Sequence, residues 1–235
     1  METKNIDSNS AEFLAMLSHE LRTPTHAILG WAELLKSRDV DDETFAHGLG
    51  AIKRNARLQA QLVEELLDFS RIKTSSFSLD AQNIALLPAL EAAIETMLPQ
   101  ALAKNIKLEA QLDTSSCWVV GDSFLLHQVF TNLLSNAIKF TPCGGRVEIR
   151  LTRHEASAEM RVSDTGRGIS AEFLPYIFES FRQAGKGSEF GGLGLGLAIA
   201  RHLIERHGGQ ISADSRGEGQ GAVFTIHLPC VGDNR

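Results

Sequence analysis

The stretch NLLSNAIKF, residues 132–140, places polar and apolar side chains on opposite faces of one helix. At about 3.6 residues per turn, Asn132, Asn136 and Lys139 fall along one edge, and the apolar residues between them point the other way. The apolar face predicts packing against a sheet. The polar edge predicts a binding surface, because an amide oxygen can enter a Mg²⁺ shell and a lysine can contact phosphate oxygens. A solvated helix face is the alternative that this stretch alone leaves open.

Helix and strand patterns alternate on both sides of this stretch. The polar run TSSFSLDAQ, residues 74–82, indicates a linker, so that a second domain covers residues 83–235. The alternation predicts an α/β sandwich with helices on one face of a mixed sheet. We expect helices over residues 86–103, 123–140 and 198–207, and strands over residues 106–112, 118–120, 146–153, 158–164, 209–213 and 221–228.

The motif DTGRGI, residues 164–169, follows the expected strand that ends at Asp164. A carboxylate at this point could accept a hydrogen bond from an exocyclic amine. Gly166 and Gly168 would let the backbone turn tightly and approach a flat ring. Such a turn is common by itself, so the motif gains meaning only from its neighbours.

The motif GGLGLGLAIA, residues 191–200, alternates glycine with leucine just before an expected helix. Backbone N–H groups at a helix N-terminus attract phosphate, and the helix dipole adds about 0.3–1 kcal/mol for a nearby anion. The glycines concerned are Gly192, Gly194 and Gly196. The spacing fits neither G-x-x-x-x-G-K-[ST] nor G-x-G-x-x-G after a strand, which excludes the P-loop and Rossmann interpretations.

Residues 1–73 predict two amphipathic helices that form an antiparallel hairpin. The first, from about residue 10 to residue 37, repeats apolar residues at the spacing of a coiled-coil seam. The second carries an apolar stripe that includes Phe45, Leu49 and Val63, with Asp41 or Asp42 as its N-cap. A lone hairpin covers only part of each stripe, so we expect a homodimer that forms a four-helix bundle. Docking of the stripe on the rest of the chain is the alternative.

The motif LSHELRTP, residues 17–24, lies on the first of these helices. His19 falls on the side that faces away from the seam, with Thr23 one turn further on the same side. Glu20 could approach one imidazole nitrogen and leave the other as the nucleophile. Pro24 removes a hydrogen bond inside the helix, which predicts a bend and a loosened turn beside the histidine.

Composition narrows the classes of partner. A net charge of −6 and a pI near 5.8 exclude a general attraction to nucleic acid or to an anionic membrane. No apolar run is long enough for a membrane segment. Cys117, Cys143 and Cys230 lie far apart in the sequence, which indicates neither a disulfide framework nor a zinc site. We therefore expect a cytoplasmic protein in a reducing compartment.

Residues 17–24 resemble the phosphoacceptor box of sensor histidine kinases. Five further stretches, in this order, resemble the N, G1, F, G2 and G3 boxes of the same family and of the wider ATPase group that includes gyrase and Hsp90-type chaperones. The resemblance covers about residues 10–230. It implies a dimerisation and histidine phosphotransfer hairpin, followed by an α/β sandwich ATP-binding domain of the GHKL type. The five stretches are residues 132–142, 164–169, 178–181, 191–196 and 218–221.

The resemblance also implies roles for single residues. His19 would be the phosphoacceptor, Glu20 the acid/base partner and Thr23 the residue that orients water in a reverse phosphatase reaction. ATP and Mg²⁺ would be the cofactors, with Asn136 as the Mg²⁺ ligand. The remaining nucleotide contacts would be Asn132, Lys139, Phe140, Asp164, Gly166, Gly168, Arg182, Lys186, Gly192, Leu193, Gly194, Leu195 and Gly196.

Two departures from the family pattern lie within this set. Phe140 stands where some relatives have tyrosine, and Leu193 stands where threonine is frequent. Residues 179–191 would form a short, mobile ATP lid, with Arg182 or Lys186 reaching the phosphates. These departures bear on nucleotide affinity and rate.

The implied partners are a second copy of the chain, a separate response regulator and an unknown sensor module. A separate regulator is expected because no receiver domain follows residue 235. Two other functions are weighed: a scaffold that binds ATP without phosphorylating itself, and a chaperone-like or topoisomerase-like ATPase. The first would not need His19 and Glu20 intact, and the second would not need them displayed on a dimerising hairpin. His26, seven residues after His19, is a competing acceptor on the same face.

Overall fold

The structure is a computed structural model that describes residues 3–36, 40–73, 79–113, 117–183 and 193–231. Two long helices precede an α/β domain, as the sequence predicts. None of the described helices is long and apolar enough to cross a membrane. The elements are α1 (Thr3–Leu35), α2 (Asp42–Lys73), β1 (Gln82–Ala85), α3 (Leu86–Ala103), β2 (Lys107–Leu112), β3 (Trp118–Gly121), α4 (Ser123–Phe140), β4 (Arg146–Arg153), β5 (Ser157–Asp164), a 3₁₀ turn (Leu174–Tyr176), α5 (Gly196–Arg206), β6 (Gln210–Asp214) and β7 (Val223–Pro229).

Helices α1 and α2 form the expected antiparallel hairpin. The Gln59 side-chain amide donates to the Thr25 hydroxyl across the pair at 3.2 Å, and the rings of Trp31 and His47 meet edge to face at 5.1 Å. Helix α1 begins at Thr3, earlier than expected, and runs without a break through Pro24. The bend at that residue therefore stays a prediction.

Asp41 caps the start of α2, which was one of the two expected N-caps. Its carboxylate accepts from the Thr44 backbone N–H at 2.7 Å and from the Thr44 hydroxyl at 3.1 Å. These hydrogen bonds favour the ionised form and lower the pKa of Asp41. The cap satisfies a backbone donor that the first turn of a helix leaves without an intrahelical partner.

The apolar stripe of α2 is divided between the core of this chain and the solvent. Ala51 and Leu62 are buried, and Leu66 and Phe69, at the C-terminal end of the stripe, pack partly buried against the core. The stripe residues Phe45, Leu49 and Val63 are between 43% and 49% exposed. The exposed part of this stripe is the surface that the expected homodimer would cover, and the single chain does not test that expectation. An apolar surface consequently remains uncovered on the hairpin, and it consists of Leu29, Leu34, Phe45, Leu49, Val63 and Leu67.

The α/β domain is built on a five-stranded mixed sheet in the order β2-β4-β5-β7-β6, in which only β2 and β4 run parallel. Alternate residues of β4, β5 and β7 are buried, as a sheet covered on one face requires. Helices α3, α4 and α5 lie side by side on that covered face, and their apolar residues share one core with the strands. The predicted α/β sandwich is confirmed.

Strand β1 is not indicated by the sequence pattern. It begins at Gln82, the last residue of the expected linker, and pairs antiparallel with β3 in a separate two-stranded sheet. Its first residues are polar and exposed, so they show no apolar alternation that a strand prediction could use.

A lysine closes the C-terminal end of α4. The Lys104 ammonium donates to the carbonyl oxygens of Ile138, Lys139 and Thr141 at 2.7–3.0 Å. The last carbonyls of a helix have no intrahelical donors, and a cation is favoured beside them. Lys104 therefore fixes the end of the helix from which the polar edge projects.

The expectation that the cysteines are unpaired is wrong. Cys117 and Cys230 form a disulfide, with their Cα atoms 6.1 Å apart and a sequence separation of 113. Cys117 precedes β3 and Cys230 follows β7, and a backbone bridge between Trp118 and Val231 holds the two segments together beside it. Only the fold brings these residues to one place, which sequence spacing does not reveal. Cys143 is free and exposed.

The pairing predicts a specific thiol count. Under native, non-reducing conditions, alkylation should label one of the three cysteines, Cys143, and after reduction it should label all three. Reduction should also lower the free energy of unfolding by about 2–4 kcal/mol, because the bond closes a long loop in the unfolded chain. Mass spectrometry and thermal melts with and without reductant measure both effects. Cys143→Ser is the control and should leave the effect of reductant unchanged, while labelling of all three thiols in the untreated folded protein would contradict the pairing.

Candidate functional site

One cavity of about 780 Å³ lies at the end of the covered face of the sheet. Its lining comes from the polar edge of α4, the loop after β5, the residues around the 3₁₀ turn and the N-terminal turn of α5. Cavities of this size hold small organic ligands such as nucleotides. Two residues of α2, Gln61 and Glu65, also line it.

The polar edge of α4 lies in this cavity as the sequence predicts. Asn132, Asn136 and Lys139 line it, while the opposite face of the helix is buried in the core. Burial lowers the pKa of Lys139, the Glu65 carboxylate opposes this shift and the Arg167 guanidinium adds to it. The lysine therefore stands in a partly desolvated site where an anion would stabilise its charge.

Asp164 reaches the cavity because it continues the inward alternation of β5. Every second residue of this strand is buried, and Asp164 is the last of these positions. Its carboxylate accepts from the Gly166 backbone N–H at 2.8 Å. Burial raises the pKa of Asp164, and the Gly166 hydrogen bond offsets part of that shift. Gly166 is itself buried and does not line the cavity, whereas Gly168 does.

The loop before α5 meets the cavity through its glycines. Gly194 has a φ of +66°, and a Cβ there would lie 2.7 Å from the Arg182 carbonyl oxygen. The Phe181 N–H donates to the Gly194 carbonyl at 3.1 Å, and the Asn132 amide donates to the Gly196 carbonyl at 2.5 Å. The loop is thus held close to both α4 and the segment that follows the 3₁₀ turn.

Leu193 and Leu195, two of the expected nucleotide contacts, turn their side chains into the core. Both side chains are fully buried in the core, and neither residue lines the cavity. Along residues 193–196 the two leucines face inward, whereas Gly194 and Gly196 line the cavity. Leu193 and Leu195 therefore offer a ligand only their backbone groups.

The described part of the expected lid starts beside the cavity. Arg182 lines the cavity, forms an ion pair with Glu179 at 3.0 Å and stacks on the Tyr176 ring at 5.3 Å. A phosphate in the cavity would compete with Glu179 for this guanidinium. The expected contacts Lys186 and Gly192 lie outside the described residues.

Some cavity residues escaped the sequence analysis. Arg167, inside the DTGRGI motif, stacks on the Phe140 ring at 4.3 Å, and Phe140 also lines the cavity. The motif could have singled out this arginine, since it stands directly before Gly168, which lines the cavity. No sequence signal separates Gln61 and Glu65 from the other polar residues of α2.

His19 is presented to solvent, as predicted. Its side chain is 78% exposed, and its Nδ1 lies 3.6 Å from a carboxylate oxygen of Glu20. The Thr23 hydroxyl donates to the His19 carbonyl at 3.1 Å, which keeps it on the same turn. None of these three residues lines the cavity. The structure therefore shows the histidine and the cavity as two separate parts.

Comparisons with known proteins match both parts of the chain. Residues 9–75 match the family model described as "His Kinase A (phospho-acceptor) domain", and residues 121–232 match the one described as "Histidine kinase-, DNA gyrase B-, and HSP90-like ATPase". The sensor histidine kinase GacS of Pseudomonas protegens is 38% identical over 233 residues, which cover 95% of this chain and 25% of GacS.

Two solved structures share the whole architecture. Full-length ShkA in complex with AMPPNP is 30% identical, with a TM-score of 0.68, and the match covers 94% of this chain and 46% of that one. The histidine kinase ThkA in complex with the response regulator protein TrrA is 25% identical, with a TM-score of 0.76, and the match covers 100% of this chain and 66% of that one.

The fold and the cavity define an ATP-binding domain of the histidine kinase and gyrase group, joined to a phosphoacceptor hairpin. This chain belongs to the histidine kinase family. It spans 18 to 48% of the length of eight curated relatives that it matches.

Gly194 should be intolerant of any side chain. Gly194→Ala should lower nucleotide affinity at least tenfold, because its Cβ would collide with the Arg182 carbonyl and displace the loop. Gly144→Ala is the matched control, since Gly144 also has a positive φ, of +80°, but faces open space. Gly144→Ala should lower the free energy of unfolding by about 1–2 kcal/mol, because alanine disfavours a positive φ, and it should bind nucleotide normally. Titration with a fluorescent ATP analogue measures both, and equal affinities of the two variants would contradict the packing argument.

Proposed function

We propose that this chain is the catalytic core of a two-component protein histidine kinase. It transfers the γ-phosphoryl group of ATP to His19 and then to an aspartate of a separate response regulator. The observation that carries this proposal is the cavity itself, in which a buried carboxylate, a partly buried lysine and a glycine loop converge, on a chain that also displays His19 beside Glu20. An ATPase without phosphotransfer would not need a histidine displayed beside a glutamate on the hairpin.

Within the cavity, each end of the nucleotide has suitable groups. Asp164 would accept from the adenine amine, and Gly168 would let the backbone approach the ring. Lys139, Arg182 and the backbone of the loop at residues 193–196 would contact the phosphates. Arg167 stacked on Phe140 adds a further cation at this wall.

Asn136 would provide one amide oxygen to Mg²⁺. Among the described residues no group of three or more His, Cys, Asp or Glu side chains could hold a metal alone. That donor set fits a Mg²⁺ ion that takes most of its ligands from phosphates and water, as Mg²⁺ commonly does. When bound, the ion would neutralise charge on the phosphates.

The reaction at His19 follows from its neighbour. Glu20 lies beside Nδ1, so Nε2 is the nitrogen left to attack the γ-phosphorus. The N–P bond forms as the bond to the bridging oxygen of ADP breaks, and Glu20 accepts the Nδ1 proton. Thr23, one turn away, would orient a water molecule that takes the phosphoryl group and releases it as inorganic phosphate when the kinase acts as a phosphatase.

Transfer requires a change of arrangement, because His19 does not line the cavity. Either the ATP-binding domain moves along its own hairpin, or it acts on the His19 of a second copy. The uncovered apolar residues of the hairpin support a homodimer that buries them in a four-helix bundle. The position of each ATP-binding domain in that dimer would then decide which of the two His19 side chains it reaches.

The onward partner and the setting complete the proposal. The likeness to ThkA, whose structure contains the response regulator TrrA, supports a response regulator as the partner. A sensor module of unknown kind would supply the signal. The use of ATP supports a cytoplasmic location, but the cysteines no longer support a reducing compartment, because Cys117 and Cys230 are paired.

The first test follows the phosphoryl group. Incubation with γ-labelled ATP and Mg²⁺ should give protein label that is labile in acid and stable in alkali, and His19→Gln should abolish it. His26→Gln is the matched control on the same helix face and should keep the label. Label that persists in His19→Gln but disappears in His26→Gln would identify His26 as the phosphoacceptor. ATP binding without any label would favour the scaffold that binds ATP without phosphorylating itself.

The second test uses the pKa of Asp164. Because burial raises this pKa, ATP affinity should begin to fall at a higher pH than the protonation of an ordinary aspartate would cause. Asp164→Asn should remove this pH dependence and weaken ATP binding roughly tenfold to a hundredfold, the loss expected for a charged hydrogen bond.

The same variant should not be less stable at neutral pH. A carboxyl whose pKa is raised on folding destabilises the folded state when ionised, and its cost disappears as the pH falls through that pKa. Asp164→Asn should therefore melt at an equal or higher temperature than the wild type. Asp214→Asn, at an exposed position of β6, is the control for affinity. Normal ATP affinity of Asp164→Asn at neutral pH would refute the adenine assignment.

A further inference from the structure

Glu65 enters the cavity from the helical hairpin rather than from the ATP-binding domain. One of its carboxylate oxygens accepts from the Gln61 side-chain amide at 2.8 Å. The other accepts from the backbone N–H of Leu193 at 3.4 Å, across 128 residues of sequence. A side chain of α2 is thus bonded to the glycine loop in front of α5.

The partners of this carboxylate are groups that would serve a phosphate. Leu193 presents its N–H at the loop before a helix N-terminus, where anions are favoured. Lys139, on the facing wall, has its positive charge stabilised by Glu65. A carboxylate and a phosphate oxygen need the same donors, so both cannot occupy these donors at once.

Glu65 is held in place by its neighbours on the same face of α2. Leu62 is 1% exposed and belongs to the core that the hairpin shares with the ATP-binding domain. Phe69 meets Phe181 edge to face at 5.1 Å. Phe181 has a φ of +67°, a left-handed backbone that a bulky residue adopts only when its surroundings hold it. Leu62, Glu65 and Phe69 are three and four residues apart along α2, so they form one docking face with Glu65 at its centre.

This docking face lies at the height of the phosphoacceptor. Gln59 and Thr25 are opposite one another in the hairpin. Because α1 and α2 run antiparallel, His19 and Glu65 are each six residues further toward the same end. The glycine loop is thus bound to the hairpin at the level of His19, but through the helix that does not carry it.

We propose that Glu65 is a positioning residue that occupies part of the triphosphate subsite in the absence of nucleotide, so that ATP binding displaces α2 from the glycine loop. The inference rests on the phosphate assignment made under the proposed function. Its consequence is selective: a ligand with phosphates competes with Glu65, and a ligand without them does not. Nucleotide occupancy and loss of the contact between Glu65 and the glycine loop are then one event.

The test compares ATP and adenosine on the full chain. Glu65→Gln keeps the size of the side chain and removes its charge, and it should raise ATP affinity roughly tenfold by removing repulsion between two anions. Adenosine affinity should stay unchanged, which also shows that the variant is folded. Glu64→Gln is the matched control, because it removes the same charge from the neighbouring exposed residue of the same helix, and it should change neither affinity.

Further outcomes separate this inference from the proposed function. Lys139→Ala should weaken ATP binding in the wild-type background. If it does so while Glu65→Gln gains nothing, the inference fails alone. If Lys139→Ala leaves ATP affinity unchanged, the phosphate assignment fails and the inference fails with it. An equal gain for ATP and adenosine in Glu65→Gln would also refute the inference, because the carboxylate would then oppose domain release in general and not phosphate.

Discussion

Helix α4 is constrained on both sides, and the site depends on that constraint. Its apolar face is fixed in the core, which leaves its polar edge no freedom to turn away from the cavity. Both ligand loops are hydrogen-bonded to this helix: the Asn132 amide donates to the Gly196 carbonyl, and the Arg167 N–H donates to the Phe140 carbonyl at 3.1 Å. Lys104 holds the end of the helix on which the second contact relies. A site fixed in this way can bind a nucleotide without first being assembled.

The hairpin is shared between two tasks. Helix α1 displays His19 to solvent, where an incoming phosphoryl group or a partner protein can reach it. Helix α2 holds the ATP-binding domain through an apolar contact at Phe69 and a charged contact at Glu65. The apolar contact does not depend on a ligand, whereas the charged one uses donors that a phosphate also needs. This difference lets the domain remain attached to the chain yet respond to what occupies its cavity.

Much of the site follows from periodicity, and what does not follow depends on tertiary contacts. A helical period places Asn136 and Lys139 on one edge of α4, and a strand period places Asp164 on the buried face of β5. The Cys117 and Cys230 pairing depends on two strand ends meeting in space, which no spacing encodes. The entry of Glu65 into the cavity likewise depends on how two domains dock. For Leu193 the two sequence arguments differ. The alternation of leucine with glycine indicates a buried side chain, whereas the family pattern predicts a nucleotide contact.

The central claim is that one cavity serves ATP and, without ATP, the carboxylate of α2. A crystal structure of this chain with a non-hydrolysable ATP analogue and Mg²⁺ tests it most directly. The account predicts the adenine amine within hydrogen-bond distance of Asp164, the phosphates at Lys139 and the loop of residues 193–196, and Glu65 no longer bonded to the Leu193 N–H. A nucleotide bound elsewhere, or bound in the cavity with the contact between Glu65 and Leu193 intact, would contradict it.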